Sequence, residues 1–191
     1  MTYRFYVGRL RIFEDQYDKA RECFTYALRN CPLRETRNRQ RILAHLVPVN
    51  MSFGILPTDE LLHRYNLSEF RELAHAIRVG DIRGFNEAMQ EHERKFIRFG
   101  LYLVLEKAKW IVYRNLFKRL YLVQGTHQLQ LAKFETVLHN MGEEVDLDEI
   151  ECILANLIYM GRIKGYLSHE KRVLVVSKKD PFPASATIIR P

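Results

Sequence analysis

The stretch that decides the fold reads Leu147-Asp-Glu-Ile-Glu-Cys-Ile-Leu-Ala-Asn-Leu-Ile-Tyr-Met-Gly161-Arg-Ile-Lys-Gly-Tyr-Leu167. Its first part repeats apolar residues at helical spacing, and Gly161 provides the left-handed backbone at which many helices end. Its second part alternates polar and apolar residues, as does a further run soon after it. The sequence therefore predicts a helix over residues 147–160 and then a β-hairpin with strands over residues 162–167 and 172–177.

The residues around this stretch complete a winged helix. A short strand over residues 127–131 and a helix over residues 132–141 come first, so the order is strand, helix, helix, hairpin. We predict a winged helix over residues 125–179. Beyond it, two closely spaced prolines exclude a helix or a central strand, which predicts an extended tail over residues 180–191.

Residues 1–124 carry the pattern of tetratricopeptide-like helical repeats. The first 32 residues place small residues, an aromatic and a proline at the spacings of such a helical hairpin, namely Val7, Gly8, Ala20, Phe24, Ala27 and Pro32. Arg4 and Arg11 depart from the pattern, because the repeat has Trp and Tyr there. One hairpin cannot bury its own apolar face, so further helices are expected, and an exposed apolar edge is expected at the first hairpin.

Four more helical segments are predicted before the longest one. They cover residues 36–47, 58–65, 67–79 and 82–99, with Thr58 as an N-terminal cap and breaks at Pro48, Gly54, Pro57 and Gly80-Asp81. A long helix over residues 101–123 then has two apolar faces, which predicts packing on two sides. The first face comprises Leu101, Val104, Leu105, Ala108, Ile111, Val112 and Leu116, and the second comprises Leu103, Trp110, Phe117 and Tyr121.

The sequence motifs point away from catalysis. The chain has no dinucleotide or phosphate-loop motif, no nucleophile elbow and no zinc-protease motif, so we predict that it is not an enzyme. The seven histidines lack metal-ligand spacing, and Cys23, Cys31 and Cys152 form no pair of the zinc-binding kind. We expect three buried free thiols, no metal and no cofactor. No apolar run reaches the roughly 18 residues of a membrane helix, so we expect a soluble protein without a membrane role.

The charge of the chain is unevenly distributed. The net charge is +7, and residues 1–124 hold 22 basic against 14 acidic residues, whereas residues 125–191 hold 8 against 9. Six bases nevertheless crowd the predicted hairpin: Arg162, Lys164, Lys171, Arg172, Lys178 and Lys179. The long helix adds a narrow basic ridge of Lys107, Arg114 and Lys118. These nine residues form the predicted nucleic-acid-binding set, although a solvated hairpin that protects a sheet edge stays open as an alternative.

Six acids occupy the start of the helix at residue 147 and the loop before it, namely Glu143, Glu144, Asp146, Asp148, Glu149 and Glu151. They suit the positive end of a helix dipole, and they would repel phosphate. We therefore expect no reading of the DNA major groove by this helix. Two alternatives stay open for Tyr166, which either stacks on a base or packs inward. Likewise, the cluster of Arg34, Arg37, Arg39 and Arg41 either extends the basic surface or forms a polar helix face.

Helical repeats followed by a winged helix resemble the PCI domain. The resemblance extends to Tyr113-Arg-Asn-Leu-Phe-Lys118, Thr126-His-Gln-Leu129, the segment from Cys152 to Gly161, Val175-Val-Ser-Lys178 and Pro181-Phe-Pro183. These strings are similar to the PCI proteins that couple transcription to mRNA export. The resemblance implies a mainly α fold and an adaptor in the nucleus, at the nuclear pore and in part in the cytoplasm. It also implies further helical repeats before Tyr6 in the full protein.

The resemblance implies partners as well. They are a large scaffold subunit, a small acidic polypeptide of the proteasome-lid type, and the backbone of RNA or DNA held by paired winged helices. Carried onto this sequence, the nucleic-acid contact falls on Arg162, Lys164, Lys171 and Arg172, and then on Lys178 and Lys179. The alternative is a structural PCI subunit of another assembly, such as the proteasome lid or the signalosome, without a nucleic-acid role.

Overall fold

A computed structural model describes residues 1–183 and is mainly α-helical, with one small sheet near the C-terminal end. In this part of the chain the helices are α1 Thr2–Phe13, α2 Tyr17–Arg29, α3 Thr36–Ser52, α4 Asp59–Arg64, α5 Arg71–Val79, α6 Ile82–Glu91, α7 Glu93–Phe99, α8 Tyr102–Gln124, α9 Leu131–Asn140 and α10 Leu147–Tyr159. A 3-10 turn, Ser68–Phe70, precedes α5. The strands are β1 Gln128–Gln130, β2 Gly165–Ser168 and β3 Val173–Val176.

The described residues form two compact units. Unit 1 comprises Met1–His75 and Glu87–Ala108, and unit 2 comprises Ala76–Asn86 and the described residues from Lys109 onward. Each unit therefore draws on separate parts of the sequence, and α8 contributes residues to both. The boundaries predicted from the sequence, at residues 124 and 179, separate helical repeats, winged helix and tail, and not compact units. These boundaries stay a prediction.

The first helical hairpin of unit 1 forms as predicted. Ala20, Phe24 and Ala27 are completely buried, and Gly8 is buried as well. A Cβ atom on Gly8 would lie only 2.8 Å from Cε1 of Phe24. A glycine is therefore needed at this position, because any side chain would push the Phe24 ring out of its place. The tetratricopeptide-like prediction is confirmed.

The boundaries of the middle helices differ from the prediction. Helix α3 runs through Pro48 to Ser52, so the break predicted at Pro48 is wrong. A proline inside a helix has no N–H for the carbonyl four residues earlier and costs about 3 kcal/mol. Burial of the same turn offsets that cost, since Leu46, Val47 and Val49 lie in the core. The helix predicted over residues 82–99 is divided into α6 and α7 at His92, whereas Thr58 caps α4 as expected by accepting a hydrogen bond from Leu61 N–H.

Helix α8 buries the first of its two predicted apolar faces completely. All seven residues of that face, from Leu101 to Leu116, lie in the core. The second face is buried only in part, because Phe117 is in the core and Leu103 is exposed. Packing on two sides therefore holds for the later turns of the helix and is wrong at Leu103.

The C-terminal module of unit 2 is a winged helix, as predicted. Its sheet has the order β1-β3-β2 with both pairings antiparallel, and Leu174 of β3 lies opposite Leu129 of β1 and Leu167 of β2. Residues directly opposite each other on paired strands point to the same face of the sheet, so Leu129 and Leu174 both point to the helices. Both are buried together with Phe134 of α9 and Leu154 of α10.

The segment after β3 packs against unit 2 over its described part. Backbone N–H of Lys164 donates to the carbonyl of Pro181 at 2.8 Å, and the Phe182 ring is buried with its centroid 5.6 Å from that of Tyr121. Residues 180–183 lie outside the helices and strands, as the two prolines predict, and they pack against the module. Residues 184–191 of the predicted tail lie outside the described residues.

The three thiols do not share one environment. Cys23 and Cys31 are buried, whereas Cys152 is exposed, so the expectation of three buried thiols is wrong for Cys152. Its position explains the difference: Cys152 lies about 200° around the α10 wheel from Ile150, the start of the buried stripe. In the described part of the chain, no helix has both the length and the apolar composition that a membrane crossing requires.

A buried histidine lies in the aromatic core of unit 1. The ring of His45 packs edge-on against Phe5, with centroids 5.2 Å apart, and Nδ1 lies 3.0 Å from the carbonyl oxygen of Arg41. Because that carbonyl can only accept, Nδ1 carries the proton and Nε2 does not. Burial lowers the pKa of His45, the hydrogen bond to Arg41 opposes the shift, and the charge of Arg9 adds to it.

Substitution at Gly80 tests the close approach inside unit 2. Gly80 has a φ of +75°, and a Cβ atom there would lie 2.5 Å from the backbone nitrogen of Leu116. We expect Gly80→Ala to lower the free energy of unfolding by about 2–4 kcal/mol, through strain and steric overlap. Gly125→Ala is the control, because Gly125 has a φ of +64° and no atom within 4 Å of the added Cβ. Gly125→Ala should lower the free energy of unfolding by only about 1 kcal/mol, as measured by urea denaturation. An equal loss in both variants would contradict the close contact at Gly80.

Stability should depend on pH through His45. Its pKa is lower in the folded chain than the ordinary 6.5, so the unfolded chain takes up the proton more readily. The contribution of neutral His45 is complete above about pH 6.5 and is lost as the pH falls below that value. We expect the unfolding free energy of His45→Gln to fall less steeply than that of the parent between pH 7 and pH 5. If the unfolding free energies of the parent and of His45→Gln fell in parallel with pH, His45 would not be the cause of the pH dependence of stability.

Candidate nucleic-acid interface

The hairpin of unit 2 presents its lysines at two ends. Lys171 lies in the turn between β2 and β3, whereas Lys164 precedes β2 and Lys178 and Lys179 follow β3. Backbone N–H of Ser177 donates to the carbonyl of Lys164 at 2.8 Å, which keeps the base of the hairpin closed. Four strand residues separate the two ends, a length of about 13 Å. The lysines are therefore spread along one hairpin instead of being gathered at one point.

Arg172 lies in the turn of the β2–β3 hairpin, which is the wing of the winged helix, and is paired with the acidic start of α10. The guanidinium of Arg172 donates to Asp148 at 2.6 Å and to Glu151 at 3.0 Å. The hydrogen bond with Asp148 raises the pKa of Arg172, and nearby acid charges reinforce the shift. The Glu151 carboxylate also lies 2.8 Å from Nδ1 of His169. Arg172 thus balances acids of its own unit, which weakens its attraction for phosphate.

Three of the remaining four acids before and at the start of α10, Glu143, Asp146 and Glu149, have structural partners as well. Asp146 and Glu149 form a reciprocal capping box, in which each side chain accepts from the backbone N–H of the other residue. Glu143 accepts a hydrogen bond from Asn86 at 2.6 Å and lies 3.4 Å from Nζ of Lys109. These contacts explain the acidic segment by helix capping and local pairing.

Two of the nine predicted contact residues are buried, which is a correction. Arg162 is buried within the winged helix. Arg114 is buried too, and its Nη2 donates to the carbonyl of Phe182 and, at 2.7 Å, to that of Pro183. Burial lowers the pKa of Arg114, and the charge of Asp180 opposes that shift. A basic ridge that includes Arg114 is therefore not available to a nucleic acid.

Two more predicted bases form exposed ion pairs. Lys164 lies 3.2 Å from the carboxylate of Asp180. Lys107 pairs with Asp15 and also lies over the Tyr17 ring, 4.6 Å from its centroid, within unit 1. Exposed pairs of this kind are weak and exchange with other anions. Lys164 therefore keeps some capacity for phosphate, whereas Lys107 belongs to another unit than the wing.

The exposed part of the predicted set is smaller than the sequence suggested. Lys118, Lys171, Lys178 and Lys179 are exposed, and no ion pair within residues 1–183 involves them. Tyr166 of β2 is 63% exposed, so the inward alternative for it is wrong. We call the set of Lys164, Tyr166, Lys171, Lys178 and Lys179 the wing surface. It combines four ammonium groups with one aromatic face.

The sequence interpretation missed two features of unit 2. Tyr159, in the last turn of α10, is 81% exposed, and its place off the apolar stripe of that helix was the available signal. Arg83 donates to the last carbonyls of α9, at 2.7 Å to Asn140 and 3.3 Å to Met141. That contact joins residues far apart in the sequence, so no local pattern could have indicated it.

The four arginines of the predicted cluster, at and before the start of α3, lie in different environments. Arg39 donates to the Tyr65 hydroxyl at 3.1 Å and to the Cys31 carbonyl at 2.8 Å, so it holds neighbouring elements together. Arg34 and Arg37 are exposed, which suits a solvated helix start. Arg41 is exposed as well, at the wall of a cavity.

Comparison with known proteins gives this architecture a context. The family model of the PCI domain matches residues 89–178. The chain is 47% identical over 189 residues to PCI domain-containing protein 2 of Danio rerio, which covers 98% of the chain and 47% of that protein. It is 46% identical to Enhanced ethylene response protein 5 of Arabidopsis thaliana, over 96% of the chain and 46% of that protein.

A more distant relative carries a different name. The chain is 32% identical over 202 residues to Protein CSN12 homolog of Gibberella zeae, over 97% of the chain and 44% of that protein. The chain thus spans about half the length of the curated relatives it matches.

Two substitutions on α8 separate a structural base from an exposed one. Arg114→Gln should lower the free energy of unfolding by about 3 kcal/mol, since the carbonyls of Phe182 and Pro183 lose their charged donor. Lys118→Gln is the matched control and should change stability by less than about 0.5 kcal/mol, because Lys118 is exposed. Chemical denaturation of both variants measures the difference. A stable Arg114→Gln variant with weakened RNA binding would reverse the assignment.

Proposed function

The chain is a PCI domain-containing protein, and from that premise we propose that it is a non-catalytic structural subunit of a multi-protein assembly. The observation that carries the proposal is an exposed apolar stripe on α1. The stripe consists of four residues spaced by three and four positions, with exposed fractions of 78%, 56%, 61% and 68%: Tyr3, Tyr6, Leu10 and Phe13. We call it the α1 stripe.

The α1 stripe has the form of a helix-packing surface. Residues spaced by three and four positions lie in one line along a helix, and such lines fit the grooves of another helix. Contiguous exposed apolar side chains in a soluble protein mark interaction surfaces. We assign the α1 stripe to a contact with a helix of a partner subunit. This contact would bury the stripe in the way that neighbouring repeats bury each other's faces.

Two assemblies are candidates for the one that contains this chain. The name of the Gibberella zeae relative, Protein CSN12 homolog, supports an assembly of the signalosome type. The second candidate is a complex of nuclear mRNA export. In it the chain would be an adaptor, in the nucleus and at its pores, that binds a large scaffold subunit, a small acidic polypeptide and RNA or DNA. The structural subunit is the primary proposal, because the α1 stripe supports a protein contact and needs no nucleic acid.

Nucleic-acid binding is the second candidate function, and the wing surface favours it. Lys171, Lys178 and Lys179 are exposed bases on or beside one hairpin, and Tyr166 offers an aromatic face on which a base can stack. Contacts of this type follow the phosphate backbone and depend on salt. Pairing of Arg172 with acids limits the number of available cations to a few.

The first experiment tests the α1 stripe. We expect Leu10→Glu to reduce recovery of co-purifying chains at least tenfold, because a carboxylate in an apolar interface is costly to desolvate. Leu33→Glu is the matched control, since Leu33 is 76% exposed and lies off the stripe. Mass spectrometry of the chains recovered with the parent protein identifies the assembly, as signalosome, lid or export factors. Equal recovery with both variants would refute the docking role of the α1 stripe.

The second experiment tests the wing surface. For three phosphate contacts, the affinity for single-stranded RNA should fall with a log–log salt slope of about −2. Combined reversal of Lys171, Lys178 and Lys179 to Glu should remove this binding. A charge-matched control reverses three exposed bases of unit 1, namely Arg29, Arg34 and Arg37. RNA binding that is unchanged by the wing reversal, or lost equally in the control, would rule out the wing as the contact.

A further inference from the structure

Unit 1 contains a cavity that shares only one residue, Tyr6, with the α1 stripe. Its volume is about 610 Å³, and its walls come from α1, α3, α7 and the residues around the 3-10 turn. All lining residues lie in unit 1, so the cavity is complete within that unit. A volume of this size lies within the range of about 300–1,000 Å³ that is typical of small-molecule sites.

The wall of this cavity is rich in cations. Arg9, Arg41, Lys95 and Arg98 line it together with one carboxylate, that of Glu69. The carboxylate of Glu69 is buried and already lies 2.8 Å from Nζ of Lys95. Within residues 1–183 no salt bridge involves the other three bases. Three guanidinium groups therefore remain at a cavity wall without an internal counter-charge, which favours an anionic ligand.

Aromatic rings form the other part of the wall. Phe5, Tyr6 and Phe99 line the cavity, and Tyr6 and Phe99 are 56% and 41% exposed. The rings of Phe5 and Tyr6 meet edge-to-face with centroids 5.5 Å apart, which leaves ring surface available to a planar group. Guanidinium groups stack on aromatic planes as well, so a flat heterocycle would find suitable neighbours of both kinds.

Two polar atoms at the wall lack partners. Nε2 of His45 and Nε of Arg9 are shielded from solvent and have no hydrogen-bond partner among the described residues. His45 itself is 5% exposed. Since Nδ1 of His45 donates to the Arg41 carbonyl, its Nε2 needs a donor, whereas Nε of Arg9 needs an acceptor. Solvent reaches neither atom, so a ligand in the cavity would not contact them in this conformation, and the case for a ligand rests on the cations and the rings.

From the volume, the cations and the rings we propose that the cavity of unit 1 binds a nucleotide unit, with its base against Phe5 and Phe99 and its phosphate on Arg41 and Arg98. A nucleotide is anionic, contains a planar heterocycle, and carries donors and acceptors together. A purely acidic peptide would satisfy the arginines but leave the aromatic wall without a partner. The site lies in unit 1, so it stands apart from the wing surface of unit 2.

The nucleotide unit bound in the cavity could be a free nucleotide or one nucleotide of a single strand. Calorimetric titration of the full chain with AMP and UMP tests the site directly, and binding in the micromolar range is expected. Adenosine lacks the phosphate and ribose 5-phosphate lacks the base, so each should bind at least tenfold more weakly than AMP. A ten-residue oligouridylate then separates the sources, because it outcompetes UMP per nucleotide if the site serves a strand.

Variants of the full chain locate the site. Arg41→Gln combined with Arg98→Gln should weaken AMP binding at least tenfold, since both side chains are exposed and the fold does not depend on their charge. The charge-matched control, Arg34→Gln with Arg37→Gln, should bind AMP like the parent, as should the wing reversal. Three outcomes would overturn the proposal: no AMP binding at millimolar concentration, AMP binding unchanged in the Arg41 and Arg98 variant, or equal competition by a polyglutamate peptide.

Discussion

The burial of one guanidinium organises unit 2. A charged group removed from water must be paired with polar atoms, and Arg114 meets this requirement with the carbonyls of Phe182 and Pro183. The neighbouring carbonyl of Pro181 in turn accepts from backbone N–H of Lys164, whose own carbonyl accepts from Ser177. A chain of hydrogen bonds thus runs from the long helix through the C-terminal segment to the base of the hairpin. The position of the wing lysines is a consequence of that chain.

Apolar spacing made much of the fold predictable, because burial acts on whole helix faces. Ile150, Leu154 and Leu157 are buried as their spacing indicates, and Gly8 and Phe24 meet as the repeat pattern requires. Local rules failed where tertiary packing outweighed them. A proline such as Pro48 usually ends a helix, but burial of the turn around it keeps α3 continuous.

The candidate sites were less predictable than the fold. Counting charges found Lys171, Lys178 and Lys179 but could not separate them from Arg114 and Arg162, since burial depends on residues distant in sequence. The cavity of unit 1 was not predicted for the same reason, because its wall runs from Phe5 to Leu101. Sequence gives the composition of a charged surface, while only the fold decides which charges are neutralised within it.

The unequal exposure of the three thiols has a practical consequence. Cys152 is exposed on α10, whereas Cys23 and Cys31 are enclosed in unit 1. A maleimide fluorophore should therefore attach at one place in the native protein, without prior removal of the other cysteines. Cys152 lies next to Glu151, a partner of Arg172. A dye at that position would report on events at the wing from within the folded chain.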